Sequence, residues 1–183
     1  MLRFVDITPG PLSGTVVTHP AVGSLVIVTD PAGAVVKVEW GSGELDPKGV
    51  DDHVGARVRQ YLAGDDAVDL AIAPRGLSAL QLAVVKAIAA IPHGEVLSYK
   101  ELASKVGCQS VRAVATAVGR NPLPVIIPCH RVLPAAGAAA WRLNPARVLS
   151  TPKLLGHYTP CDTLKYKLLA FEARFTQFNV KSQ

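Results

Sequence analysis

The feature that most constrains the fold is a change of hydrophobic period near residues 73–76. Before it, TVVTH (15–19), SLVIVTD (24–30) and AVVKVEW (34–40) are short runs rich in β-branched residues. The turn formers PAVG and PAG separate them, so they read as a small antiparallel sheet. A polar, glycine-rich loop from Gly41 to Asp52 follows, and then Val54, Val58, Tyr61 and Leu62 recur at helical spacing. After Ala73-Pro74-Arg75-Gly76, Leu77, Leu80, Val84, Ile88 and Ile91 fall on one helical face that Pro92-His93-Gly94 ends. The expected architecture is α/β of the α+β type. It has a mixed-sheet N-terminal domain of scaffold character over 1–75 and a mostly helical C-terminal domain over 76–183.

The second part carries finer signals. Ser98-Tyr99-Lys100-Glu101 is a Ser-x-x-Glu capping box that starts a short helix reaching Val106. Gly107 supplies a turn, and a second helix is expected from about Val111 to Gly119. Two short helices joined by a turn containing glycine have the outline of a helix-turn-helix. Asn121-Pro122 stops the second, because the residue before a proline disfavours the α region. The run LPVIIP then leads, extended and apolar, to Cys129. Residues 133–155 show no clear period and read as a long loop. From Thr163 a last helix places Leu164, Leu168, Phe171 and Phe175 on one stripe, with Glu172 at its edge. A carboxylate in that place is expected to be partly buried and to need a partner.

Composition narrows the classes. Hydrophobic content of 49% with 18% charged residues argues for a buried core rather than disorder. No apolar run approaches the roughly 20 residues needed to span a bilayer, and the N-terminus has no secretory h-region. Three cysteines without a CxxC pair speak against a disulfide framework or a zinc ribbon. A reducing compartment, cytoplasmic or nuclear, is the expected location. The net charge of +5 hides an asymmetry, with a balance of −4 over residues 1–75 and +9 over 76–183. Such a split suits a second half that faces a polyanion, and it equally suits a solvated basic surface without a partner.

Cysteine chemistry requires a thiolate, and a nearby histidine oriented by a carboxylate can take the thiol proton. Cys129, His130 and Glu172 supply those three residue types. Adjacent side chains meet only where the backbone turns sharply, so by themselves these residues favour a structural cysteine. The wider string changes that reading. SYKELASKVGCQSVRAVATAVGR (98–120) followed by NPLPVIIPCHRV (121–132) closely resembles the O6-alkylguanine-DNA alkyltransferases, the methylated-DNA–protein-cysteine methyltransferases. An Arg-Ala-Val helix, an Asn-Pro hinge and Pro-Cys-His-Arg-Val occur in the family's order and at its separation. The match is strong over about 77–132, resumes weakly at 156–172, and is only architectural before residue 75.

The resemblance implies a role for each matching residue. Cys129 would accept the alkyl group from guanine O6 in one irreversible transfer, His130 would act as base through a water, and Glu172 would orient it. Asn121 would brace the hinge. Arg112 would fill the gap left by an extruded base, with Ala113 and Ala115 allowing close approach to a minor groove. Tyr99 would press on the neighbouring phosphate. Val132, Tyr158 and Thr159 would line the substrate pocket, and Arg131 would be structural. The implied partner is double-stranded DNA containing alkylated guanine, bound by a monomer without cofactor, metal or membrane.

The sequence departs from the family between the PCHRV motif and Tyr158, where a segment longer than usual carries Trp141, Arg142, Arg147 and Lys153. That segment reads as a lid, as an additional DNA contact or as a mobile loop. A damage sensor that binds without reacting is the alternative function, although such proteins lack cysteine at the nucleophile position. A helix-turn-helix regulator would not explain PCHRV. A Cys-His hydrolase would not need the helix pair.

Overall fold

The computed structural model describes residues 1–41, 52–158 and 161–179. By its contacts the chain divides into two compact units, Met1–Gly76 with Pro122–Ile126, and Leu77–Asn121 with Ile127–Gln183. The run after Asn121 thus packs with the first unit although it lies far along the chain. Among the described residues no helix is long and apolar enough to cross a membrane.

The first unit is built on a five-stranded sheet in the order β1-β5-β4-β3-β2. Its strands are β1 (Leu2–Phe4), β2 (Ser13–His19), β3 (Gly23–Thr29), β4 (Val35–Trp40) and β5 (Leu70–Ile72). The three β-branched runs form the antiparallel meander β2-β3-β4, as their alternation requires. Along β2, Thr15, Val17 and His19 are buried while Val16 and Thr18 face out. Strands β1 and β5, three residues each, pair in parallel and close the other edge; they are too short for their period to show in the sequence. Helix α1 (Asp52–Leu62) buries Val54, Val58, Tyr61 and Leu62, the positions its spacing singles out. Tyr61 donates its hydroxyl to the Ile126 carbonyl at 3.0 Å.

The second unit is mostly helical. Helix α2 (Ala79–Ala89) starts at a full capping box on Ser78 and Gln81 and buries Val84 and Ile88. Strand β6 (Leu97–Ser98) leads into α3 (Tyr99–Lys105), and a turn at Gly107 leads into α4 (Val111–Gly119). A 3₁₀ turn over Cys129–Arg131 precedes β7 (Val132–Leu133), which pairs in parallel with β6.

Two expectations are corrected here. Residues 133–155 are not a loop: they form α5 (Ala135–Leu143), α6 (Pro145–Leu149) and α7 (Pro152–Leu155). The alanine run has the highest helix propensity, while prolines at the starts of α6 and α7 cut the segment into pieces too short to display a period. These helices bury Ala138, Trp141, Val148 and Leu155 in a cluster with Val96, Leu133 and Leu169. Gly137 is required there, because a Cβ would collide with the Leu154 carbonyl oxygen. The last helix, α8 (Asp162–Asn179), is also rotated from its expected stripe. Among its described side chains Lys165, Leu168, Leu169 and Glu172 are buried, whereas Phe171 is only half-buried, with the Arg174 guanidinium 3.5 Å from its ring centre. Two charged groups face inward because partners await them.

Candidate active site

Three local devices bring the site together. At the start of α3, Ser98 Oγ accepts the Glu101 N–H at 3.1 Å and the Glu101 carboxylate accepts the Ser98 N–H at 2.6 Å. This reciprocal cap places Tyr99, half-buried, at the first helical position. The β6–β7 pairing, Leu97 with Val132 and Ser98 with Leu133, then sets that helix start beside the strand leaving Cys129. Finally, the Cys129 N–H donates to the Ile127 carbonyl at 2.8 Å in a tight turn, and the Arg131 N–H donates to the Pro128 carbonyl at 2.9 Å, a bond of the 3₁₀ turn. With three residues per turn, neighbouring side chains diverge by about 120°. Cys129 and His130 are therefore adjacent in sequence yet meet different partners.

Cys129 is 6% exposed. Asn121 Nδ2 lies 3.0 Å from its sulfur and also donates to the Ile127 carbonyl at 2.7 Å. The Tyr158 hydroxyl oxygen is 3.8 Å from the same sulfur. Burial pushes the thiol pKa up, and Asn121, Tyr158 and the Lys165 ammonium oppose that rise. Burial also lifts the Tyr158 hydroxyl well above its ordinary range, and lifts Tyr99 as well, with Cys129 adding to both.

His130 turns the other way. Its Nε2 is 2.8 Å from Glu172 Oε1, while Arg131 donates from Nε to Oε2 at 2.9 Å and from Nη2 to Oε1 at 3.0 Å. Arg131 Nη1 donates further to the Ile91 carbonyl, so this guanidinium is held entirely inside the unit. Burial would raise the Glu172 pKa, but His130 and Arg131 outweigh it and keep the carboxylate ionised. An ionised carboxylate only accepts, so Nε2 carries the hydrogen and Nδ1 the lone pair. That Nδ1 is buried and has no hydrogen-bond partner among the described residues. Burial lowers the His130 pKa against the pull of Glu172, so near neutral pH the ring is uncharged and Nδ1 keeps its lone pair.

One member of this group escaped the sequence reading. Lys165 is 1% exposed and donates from Nζ to the Val132 carbonyl at 2.8 Å, with burial lowering its pKa to about 8. Its only sequence signal is the spacing to Leu168, Leu169 and Glu172 on one face of α8. A lysine normally defaults to solvent, which hides that signal. The carbonyl of Val132, a residue that the resemblance places in the substrate pocket, thus already accepts one hydrogen bond; a carbonyl has capacity for a second. Tyr158 is held from below by Asp162, whose Oδ1 accepts its N–H at 2.6 Å. Thr159 lies outside the described residues.

The structure brings Cys129, His130, Glu172, Asn121, Arg131, Val132 and Tyr158 together, with Tyr99 at the edge. Arg112, Ala113 and Ala115 are not in this group: they sit on α4, which Ser110 caps through the Ala113 N–H at 3.2 Å. Val114, Ala117 and Val118 bury the inner face of α4. Arg112, Thr116 and Gly119 lie on the outer face, which is exposed, with Ala115 half-buried beside them.

Known proteins resemble this chain in sequence and in fold. Residues 79–174 match the family model described as 6-O-methylguanine DNA methyltransferase, DNA binding domain. A methylated-DNA–protein-cysteine methyltransferase of Methanosarcina barkeri is 42% identical over 83 residues, covering 44% of this chain and 52% of that protein. One from Mycobacterium tuberculosis is 34% identical over 137 residues, covering 74% of this chain and 79% of that protein. A crystal structure of Mycobacterium tuberculosis OGT in complex with DNA superposes with a TM-score of 0.63 at 25% identity, covering 91% of this chain and 98% of that one. The motif order read from the sequence, the buried Cys129 and these matches converge: the chain belongs to the methylated-DNA–protein-cysteine methyltransferase family.

Proposed function

We propose that this chain repairs DNA by moving an alkyl group from O6 of guanine onto Cys129, once per molecule. The observation that carries the reading is His130 Nδ1, a buried lone pair without a partner among the described residues, on a ring whose Nε2 is committed to an ionised Glu172. An unpaired buried polar atom costs about 1–3 kcal/mol and persists where a reaction uses it. The thiol proton passes through a water to Nδ1, the sulfur attacks the alkyl carbon, and the carbon–O6 bond breaks. While it holds the thiol proton His130 carries positive charge, which the adjacent Glu172 stabilises as in other base–carboxylate pairs. The electron pair leaves with guanine, which takes up that proton by way of water, so that His130 ends neutral.

The raised thiol pKa makes this base necessary, since burial leaves little thiolate at rest. Lys165 and Asn121 favour the thiolate once it forms. The product is a thioether with no leaving group for a return step, and single turnover follows from that chemistry.

Guanine inside a stacked duplex hides its O6 face, so the base has to leave the stack. The exposed face of α4, with Arg112 between small side chains, suits entry into a minor groove and filling of the gap. Tyr99 at the start of α3 suits the phosphate beside the extruded nucleotide. The presence of DNA in the Mycobacterium tuberculosis relative's structure supports DNA as partner.

The test is intact mass after incubation with duplex DNA containing O6-methylguanine, with Cys129→Ser alongside. A gain of one methyl group by the parent and none by the variant is expected. Unchanged mass with retained binding to the modified duplex would overturn transfer in favour of damage sensing.

A further inference from the structure

We infer that the three-helix segment α5–α7 is a second DNA-backbone contact that extends the footprint of the α3–α4 pair; the inference rests on the reading above. The first observation is charge. From Leu102 to Cys161 the chain contains no Asp or Glu, yet carries Lys105, Arg112, Arg120, Arg131, Arg142, Arg147 and Lys153. One acid-free stretch therefore spans both the proposed recognition helix and α5–α7. A surface that only needs solubility mixes both signs, whereas a surface that meets a polyanion excludes acids.

The second observation is that these seven cations are not equivalent. Arg131 is buried against Glu172. Arg142 is spent on structure, with Nη1 2.9 Å from Glu101 Oε1 and Nη2 donating to the Val96 carbonyl at 3.1 Å. Arg147 on α6 and Lys153 on α7 are exposed and have no ion-pair partner among the described residues. They are the cations that this segment leaves available.

The third observation is placement. Arg142 ties the end of α5 to Glu101, in the same first turn of α3 that holds Tyr99 and Lys100. The Trp141 indole donates to the Gly94 carbonyl at 2.9 Å, and the Gly137–Leu154 approach locks α5 on α7. The segment is thus an ordered body fixed beside the first turn of α3. A duplex engaged by α3 and α4 passes along it, and Arg147 and Lys153 meet phosphates outside the reach of the helix pair. Such contacts carry no sequence information; they add affinity and register.

The decisive measurement is the salt dependence of binding to a duplex containing O6-methylguanine, for Cys129→Ser protein with and without Arg147→Gln/Lys153→Gln. Each lost phosphate contact reduces the slope of log K against log salt by about 0.9, so the pair is expected to lower it by nearly 2. A control, Lys37→Gln/Arg57→Gln, removes the same net charge from the first unit and is expected to leave the slope unchanged. In the Cys129 protein, the rate with free O6-benzylguanine should be equal for parent and Arg147→Gln/Lys153→Gln, because that substrate brings no backbone. An unchanged slope in the pair variant, or an equal fall in the control, overturns the inference. If the Cys129→Ser parent shows no salt-dependent binding to the duplex, it is the proposed function that fails.

Discussion

Both units bury polar groups, but they spend them differently. In the first unit, Asp30 is 2% exposed and accepts the N–H groups of Thr8, Ala32 and Ala34 at 2.7, 3.0 and 2.8 Å. His19 likewise accepts the Ala21 N–H at 3.0 Å through Nδ1. These side chains satisfy turns. In the second unit Ser98 also closes a local cap, but around Cys129 the polar groups bind one another: His130 and Arg131 share Glu172, Asn121 reaches Cys129, and Lys165 reaches the Val132 carbonyl. Among the described residues one buried side-chain atom, His130 Nδ1, is left over. A scaffold closes its hydrogen-bond accounts locally, whereas a reactive site keeps one group open and holds it with the rest.

Breaking the carboxylate that organises the second network should have the largest effect. Glu172→Gln leaves the buried Arg131 charge uncompensated and His130 without an ionised partner. A loss of about 3–5 kcal/mol in urea unfolding is expected from removing one side of a buried pair. The transfer rate should fall as well, on the order of 10²-fold, measured with O6-benzylguanine at a temperature where the variant remains folded. Retention of both properties would mean that the network is decoration.

His130→Ala probes the open atom itself. Burial lowers the His130 pKa and raises that of Cys129, so the parent should react at a rate nearly independent of pH from below 6.5 to about 8. In the variant only pre-formed thiolate reacts, so the rate should rise roughly tenfold per pH unit up to a thiol pKa above its ordinary value. A loss of about 10²-fold at pH 7 is expected, recovering in alkali. A uniform loss at every pH would assign His130 a structural role.

The smallest effect sharpens the other side of the comparison. Asp30→Ala deprives three N–H groups of their acceptor, which should cost about 2–3 kcal/mol at roughly 1 kcal/mol each, read by urea unfolding. The transfer rate of the folded protein should stay within about twofold, since stability effects away from a reacting network do not alter its barrier. A large fall in rate would show that the first unit shapes the chemistry.

Much of this molecule is legible in its residues. The antiparallel meander, the α3 cap at Ser98 and Glu101, and the extents of α1 and α4 follow from period and capping, which are local properties. The motif around Cys129 is contiguous, and it carries the family assignment. What escaped is non-local or masked by brevity. The edge strands β1 and β5 are three residues long and acquire their conformation from pairing. Helices α5–α7 hide behind their own prolines.

The inward face of α8 was hidden for a different reason. Residue type predicts that Phe171 is buried and Lys165 solvated; the structure buries Lys165, which has the Val132 carbonyl as a partner, and leaves Phe171 half-buried. The sequence alone determined which groups exist and which local turns present them. Only the tertiary structure decided their meeting: the β6–β7 pairing and the packing of α8 bring Tyr99, Cys129, Lys165 and Glu172 to one place. Burial energies and hydrogen-bond satisfaction act between segments far apart in the chain, where no local pattern records them.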